Sequence, residues 1–179
     1  LVASSAMFFR ILATVAFVNI DLLSHLYIPM LVMGIVGLLT AVFFWFNGDK
    51  ADDEVKKNLI GVKNPFKLWP ALQFGAFFAG VLLFSKIGSF YFGSDGLYIT
   101  SFISGFFDVD AVTLSVANLS KEGVATHVAV VSIMIVAFVN TITKGIVFFI
   151  FGNRLVANRI CIAYLFMILS GAISLLLVL

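Results

Sequence analysis

Apolar residues in this 179-residue chain come in long continuous runs broken by short polar clusters. A β-barrel strand would show dyad alternation instead. Several windows of 18 or more nearly uncharged residues are each long enough to cross about 30 Å of hydrocarbon as a helix. The first run covers residues 1 to 19 and is interrupted by Ser4, Ser5 and Arg10. Asn19, Asp21, Ser24 and His25 predict a short turn. The second run, about Tyr27 to Phe46, is expected to hold Pro29 in its first turn, where a missing amide hydrogen costs least, and Trp45 at its end.

Residues 47 to 67 differ in kind: Asp49, Lys50, Asp52, Asp53, Glu54, Lys56, Lys57, Lys63 and Lys67 crowd into one connection. Lysine-rich short loops stay on the cytoplasmic side, so a solvated cytoplasmic loop is predicted there. A third run begins at Trp69 and Pro70 and reaches about Phe92, with Lys86 near its end placed to snorkel. Its stripe of Ala71, Gly75, Ala76, Ala79 and Gly80 would let another helix approach closely. Tyr27, Trp45, Trp69, Tyr91 and Tyr98 fall at predicted run ends, as an interfacial aromatic belt requires. The turn Gly93 to Gly96 leads into a less apolar segment, 97–118, with Gly105 at its centre and Asp108 and Asp110 just beyond. A further run covers about Val124 to Phe151 and contains Asn140, Thr141, Thr143 and Lys144; a basic turn from Gly152 to Arg159 precedes the last, Ile160 to Leu179.

Composition agrees with this pattern. The chain is 62% hydrophobic and 11% charged, with mean hydropathy +1.15, against roughly 45–50% apolar and 25% charged in soluble domains. A soluble enzyme is thereby excluded, and an integral membrane protein in contact with the lipid bilayer is implied. The net charge of +2 and the lack of a basic, aromatic-interleaved stretch give no reason to expect nucleic acid as a partner. The single Cys161 rules out an internal disulfide and reads as a small buried hydrophobe. No serine-histidine-acid arrangement or phosphate-cradling glycine loop is present, so no enzymatic activity is expected. The chain opens at Leu1 without a charged region ahead of its first apolar run, and reads as a segment of a longer polypeptide.

The expected fold is all-α: a polytopic transmembrane helical bundle of about six hydrophobic segments, with a broken or re-entrant segment near 97–118. Two layouts compete. If all six segments cross, the turn with Arg154 and Arg159 falls on the side away from the lysine loop, against the positive-inside tendency. If 97–118 enters and returns, or forms two half-helices, that turn moves to the lysine side. The second layout is preferred, because irregular backbone at membrane depth belongs where it lines a cavity or is buried in protein. The string Val15 to Asn19 recurs as Val136 to Asn140, and in a second register residues 3–11 can be laid over 137–145, which puts Arg10 on Lys144. Two such halves would suggest a transporter-like duplication with its site between repeats. Residues 1–46 would then end a first repeat, 47–67 form the polar loop, and 68–179 make the second repeat.

The candidate chemistry lies in the aspartate segment. A charge at membrane depth costs at least about 2.5–3.5 kcal/mol, so such groups face a cavity, a partner charge or an ion. Asp108 and Asp110 would point about 200° apart on a continuous helix. A break near Gly105 to Asp108 would let both line one small cavity beside the free amides of a new helix end, with Thr113 and Ser115 as neutral oxygen donors. Asn140 and Lys144 share a face of the next run, with Thr141 adjoining. Asp108 and Asp110 against Arg10 and Lys144 form a neutral set, which is buried at lower cost than any unpaired member. The functional reading is a cation or proton site with Asp108 and Asp110 as the metal ligands, since hard oxygens suit magnesium, calcium, sodium or a proton. The structural reading is that Asp108 or Asp110 caps a half-helix while Arg10 and Lys144 serve as buried partners.

The strings Asn64 to Leu72, Gly96 to Tyr98, Ser104 to Ser115 and Asn140 to Lys144 together resemble the membrane domain of unknown function that follows MgtC/SapB-type domains in many prokaryotic proteins. The resemblance extends over nearly all of the chain, and Ser-Gly-x-x-Asp-Val-Asp-Ala-x-Thr-Leu-Ser is its most specific part. It implies a multi-pass protein of the prokaryotic inner (plasma) membrane and supplies no activity. Phe106 and Phe107 are bulkier than the small or aliphatic residues expected there. Charge count and spacing alone predict a transporter or channel domain for a small cation, with magnesium or a proton-coupled ion as candidates and no other cofactor. The rival is a non-transporting structural or regulatory subunit. In either case a homo-oligomer or a larger membrane complex is expected.

Overall fold

A computed structural model describes residues 1–47, 94–151 and 154–178. The charged connection, the third apolar run with its small-residue stripe, Lys86, Trp69 and Tyr91 lie outside the described residues. Six helices are described: α1 (Val2–Val18), α2 (Ile20–Asn47), α3 (94–105), α4 (Asp110–Lys121), α5 (Thr126–Phe151) and α6 (Arg154–Val178). No strand occurs among the described residues. Within α2, α5 and α6, the stretches Ile20–Phe46, Thr126–Ile150 and Val156–Val178 are long and apolar enough to cross a membrane; α1 is a shorter apolar helix. The chain is a membrane-spanning helical protein.

Three expected boundaries shift. The turn placed at Asn19 to His25 shrinks to Asn19 alone, whose side-chain Oδ1 accepts from the amides of Asp21 and Leu22 at 3.2 and 3.4 Å and so caps α2. As a result Pro29 lies inside α2 and not in its first turn. There it removes the amide that the His25 carbonyl would otherwise receive. The basic turn before the last run is also shorter, because Arg154 to Arg159 already belong to α6. At the start of α2 the helix absorbs its polar residues through local bonds, as where the Ser24 hydroxyl donates to the Asp21 carbonyl at 2.6 Å.

Helix α1 packs on α2, α2 on α6, and α6 on α5, while α4 is wedged between α1 and α5. The core joins Phe8, Ile11 and Val15 of α1 to Leu22, Leu26, Met30 and Met33 of α2 at helical spacing, and adds Val112, Ile133, Met134 and Met167. Where lipid is as apolar as protein, close approach replaces hydrophobic drive. A methyl group at Gly37 would collide with Met167 and Ser5, and one at Gly171 would strike Met33. Glycine thus sets the α2–α6 distance.

The two ends of the bundle can be assigned from contacts. At one end Asn19, Asp21, Ser120, Lys121 and Thr126 line a single polar cavity of about 560 Å³, so the α1–α2 link, the end of α4 and the start of α5 lie together. Gly123, with φ +112°, turns α4 into α5 here, and the Val124 amide reaches back to the Leu119 carbonyl at 3.1 Å. That is the hydrogen bond of a glycine-terminated helix. Helices α2 and α5 both start at this end, so both finish at the other. Gly37 lies against Met167; α2 continues from there to Asn47 while α6 traces back to Arg154. Arg154 and Arg159, in the first turns of α6, therefore lie at the end of the bundle where α2 closes.

Candidate functional site

Helix α3 stops at Gly105 and α4 begins at Asp110. Between them the amides of Phe107 and Asp108 both donate to the Ser104 carbonyl, at 2.9 and 3.0 Å, closing the last turn of α3. The segment 97–118 is thus a broken pair of helices. Its depth follows from the rise of about 1.5 Å per residue: Asn140, which touches the break, lies about 21 Å beyond Thr126 along α5, and Asp110 about 17 Å before Lys121 along α4. Both distances place the break well inside a hydrocarbon core of about 30 Å.

A helix end at that depth must find partners for its free amides and carbonyls. Two side chains provide them. Asp108 accepts from the Asp110 amide with Oδ1 at 3.2 Å and from the Ala111 amide with Oδ2 at 3.4 Å. Its carboxylate also opposes the positive end of the α4 dipole. Asn140 donates from Nδ2 to the Gly105 carbonyl at 3.1 Å, satisfying the end of α3 from the neighbouring helix. The approach is close because Gly105 lacks a side chain: a Cβ there would lie 2.8 Å from Val139 Cβ and 3.1 Å from the Val136 carbonyl.

Asp110 points away from Asp108's amides and forms an ion pair with Arg10 of α1. The Arg10 side chain is 66% exposed and that of Asp110 33% exposed, so the pair lies on an open side of the bundle. Lys144 donates to Met7 Sδ at 3.1 Å. Met7 and Arg10 are three apart on α1, hence neighbours, which brings Lys144 within about a turn of the pair.

The other expected donors divide. Thr113 is fully buried and its Oγ1 has no partner, as is true of Asn140 Oδ1 and Ser101 Oγ. Ser115 is also buried. Thr141 is buried but donates to the Ala137 carbonyl of its own helix at 2.8 Å, and it borders α6 rather than the break. Ser101 is marked in the sequence only as a serine one turn before Ser104-Gly105 in an apolar run, and Met7 carries no signal of its own. Ser4 and Tyr164 of α6 share a buried hydrogen bond at 2.8 Å that no local pattern in the sequence marks. Among the described residues, no group of three or more histidine, cysteine or acidic side chains is placed to hold a metal ion.

A family model described as a domain of unknown function, DUF4010, matches residues 1–152. The chain belongs to this family. The match takes in the break, the Arg10–Asp110 pair, Asn140 and Lys144, so every element of the candidate site lies within the DUF4010 region. An uncharacterised protein of Aquifex aeolicus (strain VF5) is 31% identical over 149 residues, which cover 83% of this chain. The chain spans about 64% of that relative's length. No solved structure matches the chain.

Proposed function

We propose that this DUF4010 domain is the ion-handling part of a transporter or channel for a small cation. One observation carries the reading: at mid-depth the backbone leaves the helix beside two aspartates, one of which, Asp110, is partly open and, among the described residues, paired with an arginine. Transporters place their sites at discontinuous helices, where helix ends and unwound backbone supply polar groups. The unpartnered oxygens of Asn140, Thr113 and Ser101 add hard donors nearby. In this scheme Arg10 neutralises Asp110 while the site is empty, and an entering cation or proton displaces it. Lys144, a turn away, opposes simultaneous entry of a second charge. Asp108, already bonded to two amides, holds the half-helix and contributes its negative field. A proton or a monovalent ion fits better than magnesium, because a divalent ion asks for several carboxylates around one point.

The bacterial relative and the apolar helices support an inner-membrane, multi-pass location. Arg154 and Arg159 at the start of α6 share one end with the close of α2, and the positive-inside tendency would put that end in the cytoplasm. An MgtC/SapB-type domain upstream, and an oligomer or larger complex covering the exposed Arg10, belong to the same proposal. Reconstituted into liposomes, the protein should carry protons or potassium down a gradient read by an internal dye, and Asp110→Asn should abolish the flux. Equal flux in protein-free, wild-type and Asp110→Asn liposomes would remove the idea. A second reading has its own support: Asp108 caps α4 and Asp110 pairs with Arg10, as internal staples of a non-transporting subunit would. On that reading Asp110→Asn lowers stability alone.

A further inference from the structure

Away from the break, the outer side of the α5–α6 pair carries two cavities that share Phe149. The inner one, about 300 Å³, is bordered by Ile142, Gly145, Ile146, Cys161, Tyr164 and Leu165 and is apolar almost throughout. It exists because Gly145 leaves space between the helices: a Cβ at that position would come within 3.2 Å of the Tyr164 ring. The outer one, about 450 Å³, is bordered by Phe149, Ile150, Arg154 and Asn158 at the end of the bundle where α5 gives way to α6. A slot thus follows α5 for about 14 Å, from Thr141 to Ile150, and ends at a guanidinium and an amide. Ile142, Ile146, Phe149 and Leu165 face outward from it, each about half exposed.

We propose that this slot holds one anionic phospholipid, with an acyl chain between α5 and α6 and the phosphate on Arg154. The apolar length alone would admit any lipid tail. Charge at its mouth makes the selection: a guanidinium grips phosphate oxygens in a two-pronged geometry, and among the described residues no carboxylate pairs with Arg154. Basic pockets between membrane helices at the cytoplasmic end select anionic headgroups in this way. Asn158, one turn along α6 from Arg154, adds a side-chain donor at the same level.

The test is native mass spectrometry of the whole chain, equilibrated with equal amounts of phosphatidylglycerol and phosphatidylcholine in mild detergent. The wild type should retain one phosphatidylglycerol with a preference of about fivefold, the ratio expected from one basic side chain near a lipid headgroup. Arg154→Gln, at an exposed position, should bring the ratio close to one. Ile146→Trp, which fills the slot from a half-exposed site, should reduce retention of both lipids while leaving the residual preference. Equal retention of the two lipids by the wild type, an unchanged ratio in Arg154→Gln, or full retention in Ile146→Trp would each overturn the proposal.

Discussion

The contact between α2 and α6 and the junction of α3 with α4 answer the membrane environment in opposite ways. Where α2 meets α6, glycines admit side chains from the facing helix, and the interface is apolar: Gly37 against Met167, Gly171 against Met33. At the junction the helix is interrupted, the neighbours are Asp108, Asn140 and Thr113, and several buried oxygens lack partners. Close packing needs no polar group and gains from having none. A polar break needs each end satisfied, and buried orphan oxygens cost about 1–3 kcal/mol each. The first arrangement is explained by stability alone; the second is not, and function is therefore sought there.

The largest effect expected from this contrast is on the packed side. Gly37→Leu places a branched side chain where even a methyl group would collide with Met167 and Ser5. Overpacking of this kind costs about 1–3 kcal/mol, and with little room to relax the upper end applies. The thermal midpoint of the purified protein in detergent should fall clearly, with ion flux in the surviving folded fraction unaltered per molecule. A midpoint equal to wild type would show that α2 and α6 are not held at this distance.

At the junction the expected loss is smaller. Asn140→Leu keeps similar bulk but leaves the Gly105 carbonyl without its donor, so stability should fall by about 1–2 kcal/mol. Thr141→Val, next to it in sequence, should cost less, because the Thr141 hydroxyl bonds to its own helix at Ala137. If Thr141→Val proves the more damaging, the α3–α5 link does not carry the break.

Only the polar side of this contrast is legible in the chain, since the glycines that set the α2–α6 distance, Gly37 and Gly171, stand out from no pattern in the sequence. The apolar runs point to helices, and Gly105 followed by two aspartates favours a break over a full crossing, because charges at membrane depth need a cavity or a partner. The pairing of charges was legible only as a sum: four groups that balance. Which acid takes which partner depends on where α1 crosses α4, and nothing local in the sequence encodes that crossing. For the same reason Lys144 was grouped with the aspartates by charge, whereas its position on α5 directs it to Met7. Asp21, Ser24 and His25, and likewise Arg154 and Arg159, read as turns because clustered polar residues favour them, yet all lie inside helices.

The smallest effect in stability is the sharpest in meaning. Asp108→Ala removes both acceptors from the first amides of α4 and should cost about 1 kcal/mol, the usual loss of an N-terminal cap. Asp108→Asn keeps a side-chain oxygen for those amides, and asparagine caps as well as aspartate, so its midpoint should stay near wild type. The two variants share one change only, the removal of a negative charge from the break. If that charge attracts the cation, both lose flux, and Asp108→Asn does so while folded as firmly as the parent. If the carboxylate is a cap and nothing else, Asp108→Asn is silent in both assays, and the burden of any ion chemistry falls on Asp110.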